Sequence, residues 1–202
     1  MFRIRSLSSY ALVGAGAVLL FLGARDFLES RLGQSEVAGD FEETPAPPPM
    51  SPSTPAPSPI RPQPGEPVAK LIIPRLSAEL YVVEGDGPAE LRRGPGHIIQ
   101  TAMPGAKGNC VIAGHRDTHF RILKDVRKGD DIVVETRSGE FLYRVKDMRV
   151  ISPTNLGPLK PTTDAELNLI TCYPFYYVGS APRRFVVEAQ LAGAVSPGSP
   201  RT

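Results

Sequence analysis

A thiol, an imidazole and a guanidinium each stand at the edge of a strand-like run in this 202-residue chain. Cys172 ends the run Leu167-Asn168-Leu169-Ile170-Thr171 and is followed by Tyr173-Pro174-Phe175. His115 closes Val111-Ile112-Ala113-Gly114, and Arg184 opens Phe185-Val186-Val187. These are the parts of a covalent acyl-transfer site. A thiolate attacks a carbonyl, an imidazole moves the proton, and a guanidinium steadies the oxyanion. Each also has a blander reading. Free cysteine is among the most buried residue types, and a lone histidine is more often structural than catalytic. Against the first stands Pro174, which cannot continue a central strand ladder and so puts Cys172 at a strand end.

Period-2 alternation sorts the side chains further. Leu167, Leu169 and Thr171 share one face of their strand, with Asn168, Ile170 and Cys172 on the other. In the last strand Phe185, Val187, Ala189 and Leu191 form an apolar face. Arg183 is in phase with that face and Arg184 is not, so Arg184 is the arginine to aim at a groove. Cys110 lies five residues before His115 on the opposite strand face, roughly 16 Å along the strand. It reads as core. No Cys-x-x-Cys or similar spacing supports a metal site.

Three stretches carry a family resemblance. Leu167–Phe175 resembles the TLxTC signature of the sortases, Ala113–Phe120 their histidine loop, and Arg184-Phe185-Val186-Val187 their arginine strand. The order His, Cys, Arg is also the family's. The likeness covers about residues 68–192, and Tyr173–Pro182 resembles the class D branch. Asn168 stands where the signature often carries threonine, a position that is not one of the three catalytic ones. The resemblance implies a closed eight-stranded β-barrel with Cys172 as nucleophile, His115 as acid and base, and Arg184 at the oxyanion. No cofactor and no metal is expected.

Supporting roles are expected at three further positions. His97 would line or brace the groove, Asp117 would orient His115 or pair with Arg184, and Thr171 would bond locally beside the thiol. His119 would order the loop after His115. Glu79, Glu84 and Asp86 lack the spacing of a calcium loop and read as a solvated acidic patch.

The elements that must position these residues follow from composition. Leu7–Ala24 is an 18-residue uncharged run, which as a helix spans roughly 27 Å, close to a bilayer core. Arg3 and Arg5 precede it, so the positive-inside rule puts residues 1–6 in the cytoplasm and the rest outside a cell membrane crossed once. A cleaved signal peptide is the rival reading, but no small-x-small site precedes Arg25-Asp26. Residues 25–67 read as a flexible proline-rich linker: Thr44–Pro67 holds 11 prolines in 24 residues. Such a composition has no apolar payload to offset ordering entropy.

From Val68, eight strand-like runs alternate with turn signals: 69–73, 81–83, 97–101, 110–113, 131–136, 141–151, 167–172 and 184–191. Ser138-Gly139 marks a hairpin. Only 89–93 and 119–126 read as helical turns. The fold class is mostly β, a small closed barrel, over residues 68–192, with 193–202 a disordered tail. A net charge of +2 argues neither for nor against nucleic acid, but with no Lys/Arg run or basic stripe the charges read as a solvated surface and no nucleic-acid partner is expected.

An ordinary thiol titrates near about 8.5, and a neighbouring imidazolium and guanidinium would favour the thiolate. The resemblance implies a thioacyl-enzyme made from a secreted protein with a C-terminal Leu-Pro-x-Thr-Gly-like sorting signal. A cell-envelope amine would then resolve it. Rivals are a cysteine endopeptidase releasing the same intermediate to water, and a non-catalytic membrane-tethered binding module. The Ser-x-Gly-Cys context of L,D-transpeptidases and the Gln-x5-Cys arrangement of papain-like proteases are both absent.

Overall fold

The computed structural model describes residues 2–43, 62–177 and 179–195. Eight strands appear where the alternation expects them. They are β1 (Pro67–Ile73), β2 (Ala78–Glu84), β3 (Gly96–His97), β4 (Gly108–Gly114), β5 (Asp131–Thr136), β6 (Gly139–Ile151), β7 (Ala165–Tyr173) and β8 (Arg183–Val195). They close into a barrel in the order β1-β2-β3-β4-β7-β8-β6-β5. The third run is shorter than expected, two residues rather than five, because the chain turns at Thr101, whose amide bonds the Ile98 carbonyl. The expected helical turns are α2 (Pro88–Arg93) and a 3-10 helix, His119–Asp125; two further 3-10 turns, Pro74–Leu76 and Gly157–Leu159, were not expected.

Closure gives the barrel one interior. Inward positions are apolar: Leu71, Ile73, Ile112, Ile132, Leu167, Leu169 and Val187 are fully buried, with Phe120 and Leu123 plugging the barrel from the 3-10 helix. Each such side chain contributes roughly 1.5–3 kcal/mol on burial.

The N-terminal region departs from expectation. A helix, α1, runs from Phe2 to Glu43, well past Arg25, where a flexible linker was expected to begin. Its second half is docked on the barrel. Val37 is fully buried, and Gly33 comes so close to α2 that a Cβ there would lie 2.7 Å from the Arg93 Cα. The proline-rich residues 44–61 and the end of the expected tail, 196–202, lie outside the described residues. The expected membrane segment, 7–24, falls inside α1. Among the described residues no helix is long and apolar enough to cross a membrane.

Candidate active site

Three neighbouring strands bring the three candidate residues into one row. β4 and β7 run parallel with Gly114 opposite Thr171, so His115, the next residue, comes level with Cys172. β7 and β8 run antiparallel with Cys172 opposite Arg184. Alternation decides the face. Thr171 and its partner Phe185 point inward, so Cys172 and Arg184 sit on the outer surface, and His115 follows the inward Gly114 onto that same surface. His115 is exposed, whereas Cys172 and Arg184 are half-buried.

Local packing fixes each member of the row. At Gly114 a Cβ would fall 2.7 Å from the Phe120 ring, so glycine is what lets that ring close against the strand. Phe120 in turn donates its backbone N–H to the His115 carbonyl at 2.9 Å. The Thr171 hydroxyl, buried, donates to the Gly114 carbonyl at 2.7 Å. The threonine beside the thiol therefore ties β7 to β4 at the level of the histidine. Beneath the thiol, the rings of Tyr173, Phe175 and Phe185 pack with centroids 5.3–6.2 Å apart.

The guanidinium of Arg184 lies near its own backbone, Nη1 donating to the Arg183 carbonyl at 3.1 Å and reaching that of Ala181 at 3.4 Å. Among the described residues no carboxylate pairs with it. A cation so placed keeps its charge available to an oxyanion.

Asp117 bonds neither His115 nor Arg184. It faces Arg116 Nε at 3.2 Å with its side chain largely exposed. His97 does not line the row either. Its ring is buried, with Nδ1 2.8 Å from Glu84 Oε2 and Nε2 3.0 Å from the Ala102 carbonyl. A carbonyl only accepts, so Nε2 carries a hydrogen, and a single further proton is shared between Nδ1 and the carboxylate. The pair is net neutral, which is what makes its burial tolerable. Glu84 is thereby corrected: it is not part of a solvated patch but a core partner of a core histidine. Alternation could not reveal this, because the apolar run Tyr81-Val82-Val83 ends one residue before it.

The two thiols have opposite settings. Cys110 lies inside the barrel, where burial pushes its thiol far above the ordinary range and the Glu84 carboxylate adds to that rise. Cys172 is on the outer face, and both cysteines are free.

Sequence reasoning passed over Arg116. It is buried, and its terminal nitrogens donate to the carbonyls of Pro174 (3.2 Å), Tyr177 (2.7 Å) and Gly179 (2.9 Å), all in the β7–β8 connection. The available signal was its place directly after the candidate base.

Comparison with known proteins agrees with this fold. Residues 71–192 match the model of the sortase domain. Sortase D of Bacillus subtilis is 38% identical over 125 residues, covering 61% of this chain and 63% of that protein. Sortase SrtE1 of Streptomyces coelicolor is 38% identical over 131 residues, covering 55% of this chain and 37% of that protein. The chain thus spans less than two thirds of the length of these curated relatives. Among solved structures, a Clostridium perfringens sortase D5 transpeptidase superposes with a TM-score of 0.60 at 29% identity, covering 66% of this chain and 83% of that one. The catalytic domain of Bacillus anthracis SrtD gives 0.59 at 32% identity, covering 73% and 97%.

Proposed function

The chain belongs to the sortase family, and we propose that it is a membrane-anchored cysteine transpeptidase. Its substrates would be secreted proteins with a C-terminal sorting signal of the Leu-Pro-x-Thr-Gly type. The observation that carries this reading is the pairing of Cys172 with Arg184 across β7 and β8, with His115 one residue past the Gly114–Thr171 pair on the neighbouring β4.

The Cys172 thiolate attacks the scissile amide carbonyl after the threonine, forming a carbon–sulfur bond. Arg184 steadies the oxyanion, and His115 gives a proton to the departing amine as the carbon–nitrogen bond breaks. What remains is a thioacyl-enzyme. A primary amine of the cell envelope, losing its proton to His115, attacks the thioester carbonyl. Cys172 leaves as thiolate, and a new amide is made. The similarity to a protein described as a transpeptidase supports this over simple hydrolysis. Anchoring in the cell membrane by residues 7–24, N-terminus inside, is supported by the uncharged run and the preceding Arg3 and Arg5.

The test uses the full-length protein in detergent, mixed with a panel of Leu-Pro-x-Thr-Gly-like peptides with and without a short glycine peptide. Intact-mass spectrometry reads an acyl adduct on Cys172 and the ligated product. An adduct that proceeds to amide and vanishes in Cys172→Ala establishes transpeptidation. Release only as free acid makes the protein an endopeptidase, and no adduct with any peptide overturns the assignment.

A further inference from the structure

The histidine loop and the cysteine loop meet at one buried cation. Arg116 is 7% exposed, follows His115 directly, and grips the segment that follows Cys172. Its guanidinium donates to the carbonyls of Pro174, Tyr177 and Gly179, and lies 5.7 Å from the centroid of the Tyr177 ring. Further along the same loop, Arg121 lies 5.5 Å from the Tyr176 ring centroid. The side chain of Asp117, its carboxylate contact, is 68% exposed.

What else holds residues 174–182 matters here. Among the described residues no backbone–backbone hydrogen bond outside the strands reaches that segment. Its carbonyls are held instead by side chains: three by Arg116 and that of Ala181 by Arg184. A planar fork of five N–H donors can bridge three carbonyls at once, whereas a lysine is a point charge with less reach.

We propose that Arg116 is a positioning residue for the Cys172–His115 pair. This rests on the reading of those two residues as nucleophile and base. Arg116 touches no reacting atom. It sets the separation of the two loops: one end of the clamp is peptide-bonded to His115, and the other is hydrogen-bonded two residues after Cys172. Releasing it lets the loop after Cys172 move relative to His115. The chemistry would then lose alignment while the barrel, built from other contacts, stays folded.

The test compares full-length R116Q and R116K with wild type in three measurements. These are strand content and melting by circular dichroism, the pH dependence of Cys172 alkylation by iodoacetamide read by intact mass, and steady-state kinetics on the best peptide of the panel. We expect both variants to fold. For R116Q, kcat should fall about 100-fold with KM little changed, the size of a misalignment of about 1 Å. The pH profile of Cys172 alkylation should differ from that of wild type, because the segment after the thiol is no longer tied to the histidine loop. R116K should fall between the two. Should R116Q not fold, R116K carries the test alone. Wild-type kcat and alkylation profile in a folded variant overturn the proposal, as does a loss confined to KM. A wild-type protein whose Cys172 neither acylates nor alkylates faster than a free thiol overturns the nucleophile assignment itself, and the clamp falls with it.

Discussion

Cys172 and Arg184 face each other directly across the β7–β8 ladder, on the outer surface of the barrel. Cross-strand partners stand about 4.5–5.5 Å apart at Cβ, so a substrate carbonyl attacked by the thiol lies within reach of the guanidinium. The charge matters more than the contact area. Arg184→Lys should keep part of the activity and Arg184→Ala should lose about 100- to 1000-fold in kcat, the usual cost of one oxyanion donor. Melting temperature should barely change, since the side chain is half-buried and holds only carbonyls of its own segment. Single-turnover acylation followed by mass spectrometry checks this.

The two histidines should separate cleanly. His115→Ala removes an exposed side chain and should cost about 100-fold or more in turnover with little change in stability. His97→Ala strands the Glu84 carboxylate inside the protein and should cost roughly 3–5 kcal/mol of stability, the cost of halving a buried ion pair. Chemical denaturation and turnover, measured on both variants, give the comparison.

The sequence showed the barrel well because eight strand-like runs are separated by turn signals, and in β7 and β8 period-2 alternation also sorts the faces. It also showed the row, since Pro174 marks the end of β7 and the phase of Phe185 picks Arg184 over Arg183. Burial of single polar groups was not legible. Glu84 continues an apolar run, and only the three-dimensional approach of His97 explains its place inside. Arg116 was equally hidden, because its partners are backbone carbonyls, which any sequence supplies. The docking of α1 was obscured by the proline-rich stretch, whose composition colours the reading of everything from Arg25 onward.

Alkylation should be selective between the two thiols. Cys110 is buried in the barrel, its thiol held protonated and out of reach, so only Cys172 should react under native conditions. Iodoacetamide treatment should add one carbamidomethyl group by intact mass, and two after denaturation. Two additions to the folded protein would place Cys110 outside the core.

Acid should weaken the corner that joins β1 to β5. Arg75 donates to both oxygens of Asp130, at 2.6 and 2.7 Å, and the Arg127 amide adds a third bond at 2.7 Å. The guanidinium, first, and then the amide hold the Asp130 carboxyl below the ordinary carboxylate range. A depressed native value means that the stabilisation is present above the unfolded value and is lost as pH falls through the folded one. Asp130→Asn should therefore cost about 1–2 kcal/mol at pH 7, kept modest because Arg75 is partly solvated. The gap to wild type should close only at pH values below the ordinary carboxylate range, as the depressed Asp130 carboxyl itself takes up its proton. Urea unfolding at a series of pH values measures both.

Gln34 acts as a one-residue strand. Its amide oxygen accepts from the Tyr81 N–H at 2.8 Å, and its nitrogen donates to the Tyr81 and Arg93 carbonyls at 2.9 Å each. β2 needs such a partner, because β3 pairs with it only at Val83 and Glu84 and leaves Tyr81 at an open edge. The same helix sets Phe41 edge-to-face against the Tyr81 ring and brings Glu36 and Asp40 within 4 Å of Arg93. The exposed charges contribute little, so the amide and the buried Val37 carry the docking. Gln34→Ala should cost about 1–2 kcal/mol through three lost hydrogen bonds at a part-buried site. Hydrogen exchange is the sharper probe. The Tyr81 amide should lose its protection in Gln34→Ala while Lys70–Ile73, paired on β1, keep theirs. Unchanged protection at Tyr81 would mean that α1 does not complete this edge in solution.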